Sequence, residues 1–197
     1  MTAKTVEFYF DVGSPAAYLA FTQLPALCES AGAAIDYRPM LLGGVFQATG
    51  NQSPMMVAAK GRYMQDDLAR FAQRYGVPFA HNPHFPINTL LLMRGATGML
   101  MREPARFVAY VDAVFRAIWV ARQDMNDPAV VAAALGAAGF DAQALLALAA
   151  DPEVKERLKT VTQQAVTRGV FGAPAFFVGD QFFWGQDRLD FVKEALQ

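Results

Sequence analysis

Val6-Glu7-Phe8-Tyr9-Phe10-Asp11-Val12-Gly13-Ser14-Pro15 is a run of β-branched and aromatic residues that halts at a short turn and hands over to a proline. Its first five residues read as a strand. Beyond Pro15, apolar residues fall at 17, 20, 21, 24, 27, 28 and 31, the spacing of one helical face. Pro15 suits the first helical position, where a missing N–H leaves no bond unmade, and Ser14 is a favoured N-cap type. Gly32 marks the helix end. The reading is strand, tight turn, amphipathic helix.

Working outward, Ala34–Met40 reads as a second strand, broken by Leu41-Leu42-Gly43-Gly44 and followed by a polar loop to Ser53-Pro54. A helix then runs to about Tyr75, stops at Gly76-Val77-Pro78, and gives way to a proline-rich loop ending at Pro86. Helical periodicity fills 88–102, 105–122, 128–138 and 141–149, and Asp151-Pro152-Glu153 opens another helix that ends near Gly169. This makes a block of roughly 115 residues without a convincing strand. Strand signals return at Pro174–Val178 and Gln181–Trp184, with Gly179-Asp180 as a hairpin turn. Gly185-Gln186-Asp187 introduces a last helix with Leu189, Phe191, Val192 and Leu196 on its apolar side. The order βαβ, helices, ββα predicts an α/β protein: one four-stranded sheet from residues 1–45 and 169–197, with a large all-helical insertion over 46–168.

With 54% hydrophobic residues, 18% charged residues and 16 phenylalanines in 197, the chain is a folded, aromatic-rich type rather than a disordered one. A net charge of -1 and the lack of any basic block argue against a nucleic-acid partner. The most apolar stretch, Ala129–Ala150, is interrupted by Gly136, Gly139, Asp141 and Gln143, so no membrane-spanning helix is expected. Acidic residues break the N-terminal apolar run, which reads as no signal peptide and points to a cytoplasmic address. The single cysteine, Cys28, excludes an intrachain disulfide or dithiol redox couple, and its place on the apolar helix face reads as core packing. His81 and His84 stand in the proline-rich loop without a ligand set, so no metal is expected.

Five segments in order resemble the 2-hydroxychromene-2-carboxylate isomerases and the related kappa-class glutathione transferases. They are Phe10-Asp11 with Ser14-Pro15 and Tyr18-Leu19-Ala20; Leu42-Gly43-Gly44 with Phe46, Gly50-Asn51 and Lys60; Phe85-Pro86 with Asn88; Gly169-Val-Phe-Gly-Ala-Pro174; and Trp184-Gly with Asp187-Arg188-Leu189. The resemblance spans nearly the whole chain. It implies a thioredoxin-like, glutaredoxin/DsbA-type fold, glutathione as cofactor and a homodimer. It also implies the conversion of 2-hydroxychromene-2-carboxylate, or a similar aromatic acid, to trans-o-hydroxybenzylidenepyruvate.

Ser14 then occupies the place of the fold's first active cysteine. Free N–H groups and the helix dipole favour an anion there by about 0.3–1 kcal/mol when exposed and up to about 2 when partly buried. A serine hydroxyl donating to sulfur adds to this, so a thiolate brought from outside is stabilised without any protein cysteine. A plain N-cap is the alternative role. The resemblance also implies a cis Ala173-Pro174 bond that turns the N–H and C=O of Ala173 outward to pair with glutathione as an extra strand would. It places the γ-glutamyl end at Asp187, with Gln186 beside it, and lines the rest of the site with Asn51 and Lys60; a cap at the start of the final helix is the alternative for Asp187, and a solvated helix lysine for Lys60. Asn88 and Trp184 are candidates for contacting the aromatic substrate, with core packing as the alternative for Trp184. Two other functions fit the same residues: a kappa-type transferase that keeps glutathione on an electrophile, and a glutathione-binding module without turnover.

Overall fold

The computed structural model describes residues 4–197. Strand β1 (Thr5–Phe10) leads into helix α1 (Pro15–Ser30) and strand β2 (Ala34–Pro39), which pairs with β1 in parallel. The return elements β3 (Ala175–Val178) and β4 (Gln181–Trp184) form the expected hairpin, and β3 lies antiparallel to β1. The resulting four-stranded sheet has the order β2-β1-β3-β4.

Alternation along β1 and β3 sends side chains to two faces. Val6, Phe8, Phe10, Phe176 and Val178 join α1 and the long helical block in one large core. Tyr9, Ala175 and Phe177 join a smaller cluster with Val161, Ala165 and Val170 on the other side. Phe8 stacks between Phe10 and Phe176 at ring separations of 5.1 and 5.4 Å. Such pairs contribute about 0.5–1.5 kcal/mol each beyond their buried area.

The helical block comprises α2 (Leu42–Thr49), a 3-10 turn at Pro54–Met56, α3 (Ala58–Tyr75), α4 (Leu90–Arg102), α5 (Pro104–Trp119), α6 (Pro128–Ala137), α7 (Ala142–Ala150) and α8 (Pro152–Thr167). Proline stands first in α5, α6 and α8, and the side chains of Asp127, Asp141 and Asp151 cap α6, α7 and α8, as Asp151-Pro152-Glu153 predicts for the last of them. Two ties carry this block to the first turn of α1: Trp119 Nε1 donates to the Val12 carbonyl at 2.8 Å and the Tyr18 hydroxyl to the Pro78 carbonyl at 2.7 Å. No single helix among the described residues is long and apolar enough to cross a membrane; α6 and α7 together would be, but they bend by 119° at their junction.

Two expectations are corrected. Residues Leu42–Thr49 form α2 and not a polar loop, because Val45 is buried against the smaller cluster and Gly44 lets α2 lie close to Thr162 of α8. Helix α9 (Leu189–Ala195) buries Leu189 and Val192, and Leu196 just beyond it, but Phe191 is exposed. The helix is short and only one edge of it meets the sheet, so a residue two positions from Leu189 turns to solvent.

Candidate active site

The site grows from the end of β1. Asp11-Val12-Gly13 closes the turn, with the Ser14 N–H donating to the Asp11 carbonyl at 3.0 Å. Ser14 then takes the extended conformation of an N-cap (φ -94°, ψ 116°), and its hydroxyl oxygen accepts the Ala17 N–H at 3.2 Å. That hydroxyl donates its own hydrogen across the molecule to the Ala173 carbonyl at 3.0 Å. Ser14 is therefore a cap, and it is also the bond that joins the first and last segments of the chain.

Ala173-Pro174 is cis, and so is Phe85-Pro86. The Ala173 carbonyl is not left outward and open as expected, since the Ser14 hydroxyl occupies it. Its N–H forms no hydrogen bond within the described residues. Around this peptide the Gly185 N–H donates to the Pro174 carbonyl at 3.1 Å, and the Asn51 side-chain amide donates to the Phe171 carbonyl at 2.8 Å.

Trp184 is not in the core. It is 46% exposed and packs on Phe171 at a ring separation of 5.1 Å. Gly172 makes this contact possible, because a Cβ there would lie 2.6 Å from the Trp184 Nε1. It closes β4 at the edge of the sheet, a place that strand periodicity alone does not distinguish from the interior.

The structure thus gathers Ser14, Ala173, Pro174, Asn51, Trp184 and Gln186 around one end of the sheet. Gln186 is buried, and its carbonyl accepts the Tyr75 hydroxyl at 3.0 Å. Lys60 lies exposed in the first turn of α3, with no hydrogen bond or ion pair to another described residue. Asn88 uses its side-chain oxygen on the Leu90 N–H at 3.2 Å, at the start of α4, next to Thr89, whose methyl lies against Gly13. Asp187 does not cap the final helix. Gly185 at φ 101° sets up a 3-10 turn over Gln186–Arg188, α9 begins only at Leu189, and the Asp187 carboxylate pairs with Arg188 at 2.6 Å.

A model of the DsbA-like thioredoxin domain matches residues 5–197. The 2-hydroxychromene-2-carboxylate isomerase of Sphingobium xenophagum is 36% identical over 195 residues, which is 98% of each chain. This chain belongs to that family. A solved structure of a 2-hydroxychromene-2-carboxylate isomerase superposes with a TM-score of 0.85 at 32% identity, covering 98% of this chain and 94% of the other. Glutathione S-transferase kappa 1 of Homo sapiens is 29% identical over 209 residues, covering 98% of this chain and 91% of its own.

The chain's one thiol packs in the core. Cys28 is buried in α1, and burial pushes its pKa up to about 11, so it stays protonated at neutral pH. His81 contacts Gln65, and His84 pairs with Asp124 at 3.4 Å.

Sequence reasoning gave Asp11 and Phe171 no role beyond their places in the matching segments, and it passed over Thr89. Asp11 is 1% exposed and accepts the Gly13 N–H (2.9 Å), the Leu42 N–H (2.8 Å) and the Thr89 hydroxyl (3.1 Å). Burial pushes its carboxyl above the ordinary range, against the pull of those three donors. A lone carboxylate closing an apolar strand was the available signal for Asp11. For Thr89 and Phe171 the sequence carries none, since their partners are brought together only by the fold.

Proposed function

We propose that the protein is a glutathione-dependent isomerase that converts 2-hydroxychromene-2-carboxylate, or a similar aromatic acid, to trans-o-hydroxybenzylidenepyruvate. The observation that carries this reading is the Ser14 hydroxyl, held at the N-terminus of α1 and hydrogen-bonded to the Ala173 carbonyl. The residues present fit glutathione: an extended peptide finds the unbonded Ala173 N–H, and its sulfur finds a hydroxyl and a helix start. When bound, glutathione would supply a nucleophilic thiolate for reversible addition to the conjugated carbonyl system.

The protein's own part lies with the Ser14 hydroxyl, which would donate to the sulfur in place of the Ala173 carbonyl. A neutral hydrogen bond of about 1 kcal/mol is exchanged for a charged one of about 1.5–3. The helix terminus adds up to about 2 kcal/mol. Free thiol near pKa 8.5 is mostly protonated at neutral pH, and each unit of lowering requires about 1.4 kcal/mol, so one or two units are within the reach of these groups. Ala173, Pro174, Asn51, Lys60, Gln186 and Asp187 would hold and orient the tripeptide, Lys60 taking the glycyl carboxylate and Asp187 the γ-glutamyl amine. Trp184, with Phe171, offers an aromatic wall for the second substrate, and Asn88 is a polar contact for it. The assembly acts as a homodimer, with residues 46–168 as an insertion on the unit made by 1–45 and 169–197.

The test is incubation of the protein with a hydroxychromene carboxylate and a trace of glutathione. Product in large excess over thiol, with the thiol recovered, is the expected result. One thiol lost per product would favour the second reading, a kappa-type transferase, which the likeness to the human kappa 1 protein supports. No turnover despite glutathione binding would leave a binding module.

A further inference from the structure

The Asp11 carboxylate takes no part in the chemistry above, yet its bonds reach well beyond its own turn. One oxygen accepts the Gly13 N–H at 2.9 Å. The other accepts the Leu42 N–H and the Thr89 hydroxyl, from residues 31 and 78 positions away. We infer that Asp11 is a positioning residue for Ser14: its carboxylate binds the Ser14 turn to the first residues of α2 and α4 and so fixes where the Ser14 hydroxyl points. The inference rests on reading Ser14 as the hydrogen-bond donor to a bound thiolate.

Both helices are built to need this carboxylate. Leu41 precedes α2 with no side-chain cap, and the first helical N–H, that of Leu42, goes to Asp11 instead. That N–H is one of the helix-start donors that α2 has no carbonyl of its own to satisfy. Thr89 stands at the cap position of α4, but its hydroxyl turns to Asp11 and leaves Asn88 to accept the Leu90 N–H. Gly13 completes the join, since a Cβ there would lie 2.9 Å from the Thr89 methyl. A brace for the turn alone would need only the Gly13 bond. Because Asn88 borders Thr89, the same carboxylate sets the sulfur site and the α4 side of the molecule in one frame.

The Ala17 amide reports directly on the Ser14 oxygen, to which it donates. We would measure its hydrogen exchange, together with kcat/KM for the isomerisation, in the wild type, Asp11→Asn, Thr89→Val and Thr89→Ser. Asparagine turns one amide N–H against a backbone N–H, valine keeps the shape but loses the hydroxyl, and serine keeps the hydroxyl. The expected result is faster Ala17 exchange and kcat/KM lowered by about tenfold or more in Asp11→Asn and Thr89→Val, with Thr89→Ser close to wild type. Faster exchange at Gly13 and Leu42 with Ala17 and kcat/KM unmoved would make Asp11 a brace for the fold and overturn the inference. If Asp11→Asn fails to fold, the valine and serine pair decides alone. A wild type without glutathione-dependent turnover would sink the proposed function instead, while Ala17 exchange would still decide the role of Asp11.

Discussion

The openings of α1 and α9 carry similar local signals, an oxygen-bearing side chain after a turn at the end of a strand, and the fold treats them in opposite ways. Ser14 is 6% exposed, caps its helix, and bonds to the far end of the chain. Asp187 sits in a 3-10 turn before its helix, and its carboxylate reaches no farther than Arg188. The difference lies in what stands behind each residue. Ser14 follows a turn held by Asp11 and overlain by Trp119, whereas Asp187 follows a glycine at φ 101° on the sheet's edge strand. A capping signal reaches across the molecule when tertiary contacts fix the backbone before it, and otherwise stays a surface charge paired with its neighbour.

The hardest blow to this contrast is Ser14→Ala. Losing one preorganised donor to a charged centre is expected to lower kcat by about a hundredfold to a thousandfold. Loss of the cap and of the bond to Ala173 would destabilise the protein by about 2 kcal/mol, read from denaturant unfolding. Activity at wild-type level with the stability loss alone would make Ser14 a plain cap.

Next in size is Gly172→Ala. The added methyl must displace the Trp184 indole, and KM for the aromatic acid is expected to rise about tenfold while glutathione affinity holds, since one misplaced wall leaves the sulfur site intact. Trp184→Ala should match it. A change confined to glutathione affinity would move Trp184 to the tripeptide's side of the site.

A smaller effect is expected at the other helix opening. Asp187→Ala removes an exposed pair worth under about 1 kcal/mol, so stability should hold, while glutathione affinity falls by about tenfold with the loss of a charge-assisted contact. An affinity equal to wild type in calorimetry would remove Asp187 from the tripeptide site.

The smallest effect on activity is at Cys28, where alanine should leave turnover unchanged. Its raised pKa has a signed consequence. The folded state holds its proton up to about 11, above the ordinary thiol value, so this contribution to stability is full below the ordinary value and fades as pH climbs through about 11. Unfolding curves of wild type and Cys28→Ala should therefore converge as pH rises above about 9.

The strand, turn and helix from Val6 to Ser30, the Gly179-Asp180 hairpin and the proline-opened helices were legible because neighbouring residues decide them. Helix α2 was not. Gly43 and Gly44 each cost about 1 kcal/mol in a helix, and what overrides them is Asp11 at the Leu42 N–H and the fit of Gly44 beside Thr162. The same limit hid the Asp11–Thr89 bond and the Phe171–Trp184 wall, whose members lie far apart in sequence. Ser14 and Ala173 were read separately; that one donates to the other is information only the fold supplies.

The central claim concerns the acidity of a sulfur that the protein does not own. Ultraviolet absorbance of the thiolate, followed against pH for glutathione bound to wild type and to Ser14→Ala, measures it directly. The account predicts a bound thiol about one to two units more acidic than a free thiol of about 8.5, with most of that shift gone in the alanine variant. A bound thiol that titrates like the free one, or a shift that survives without the Ser14 hydroxyl, would contradict it.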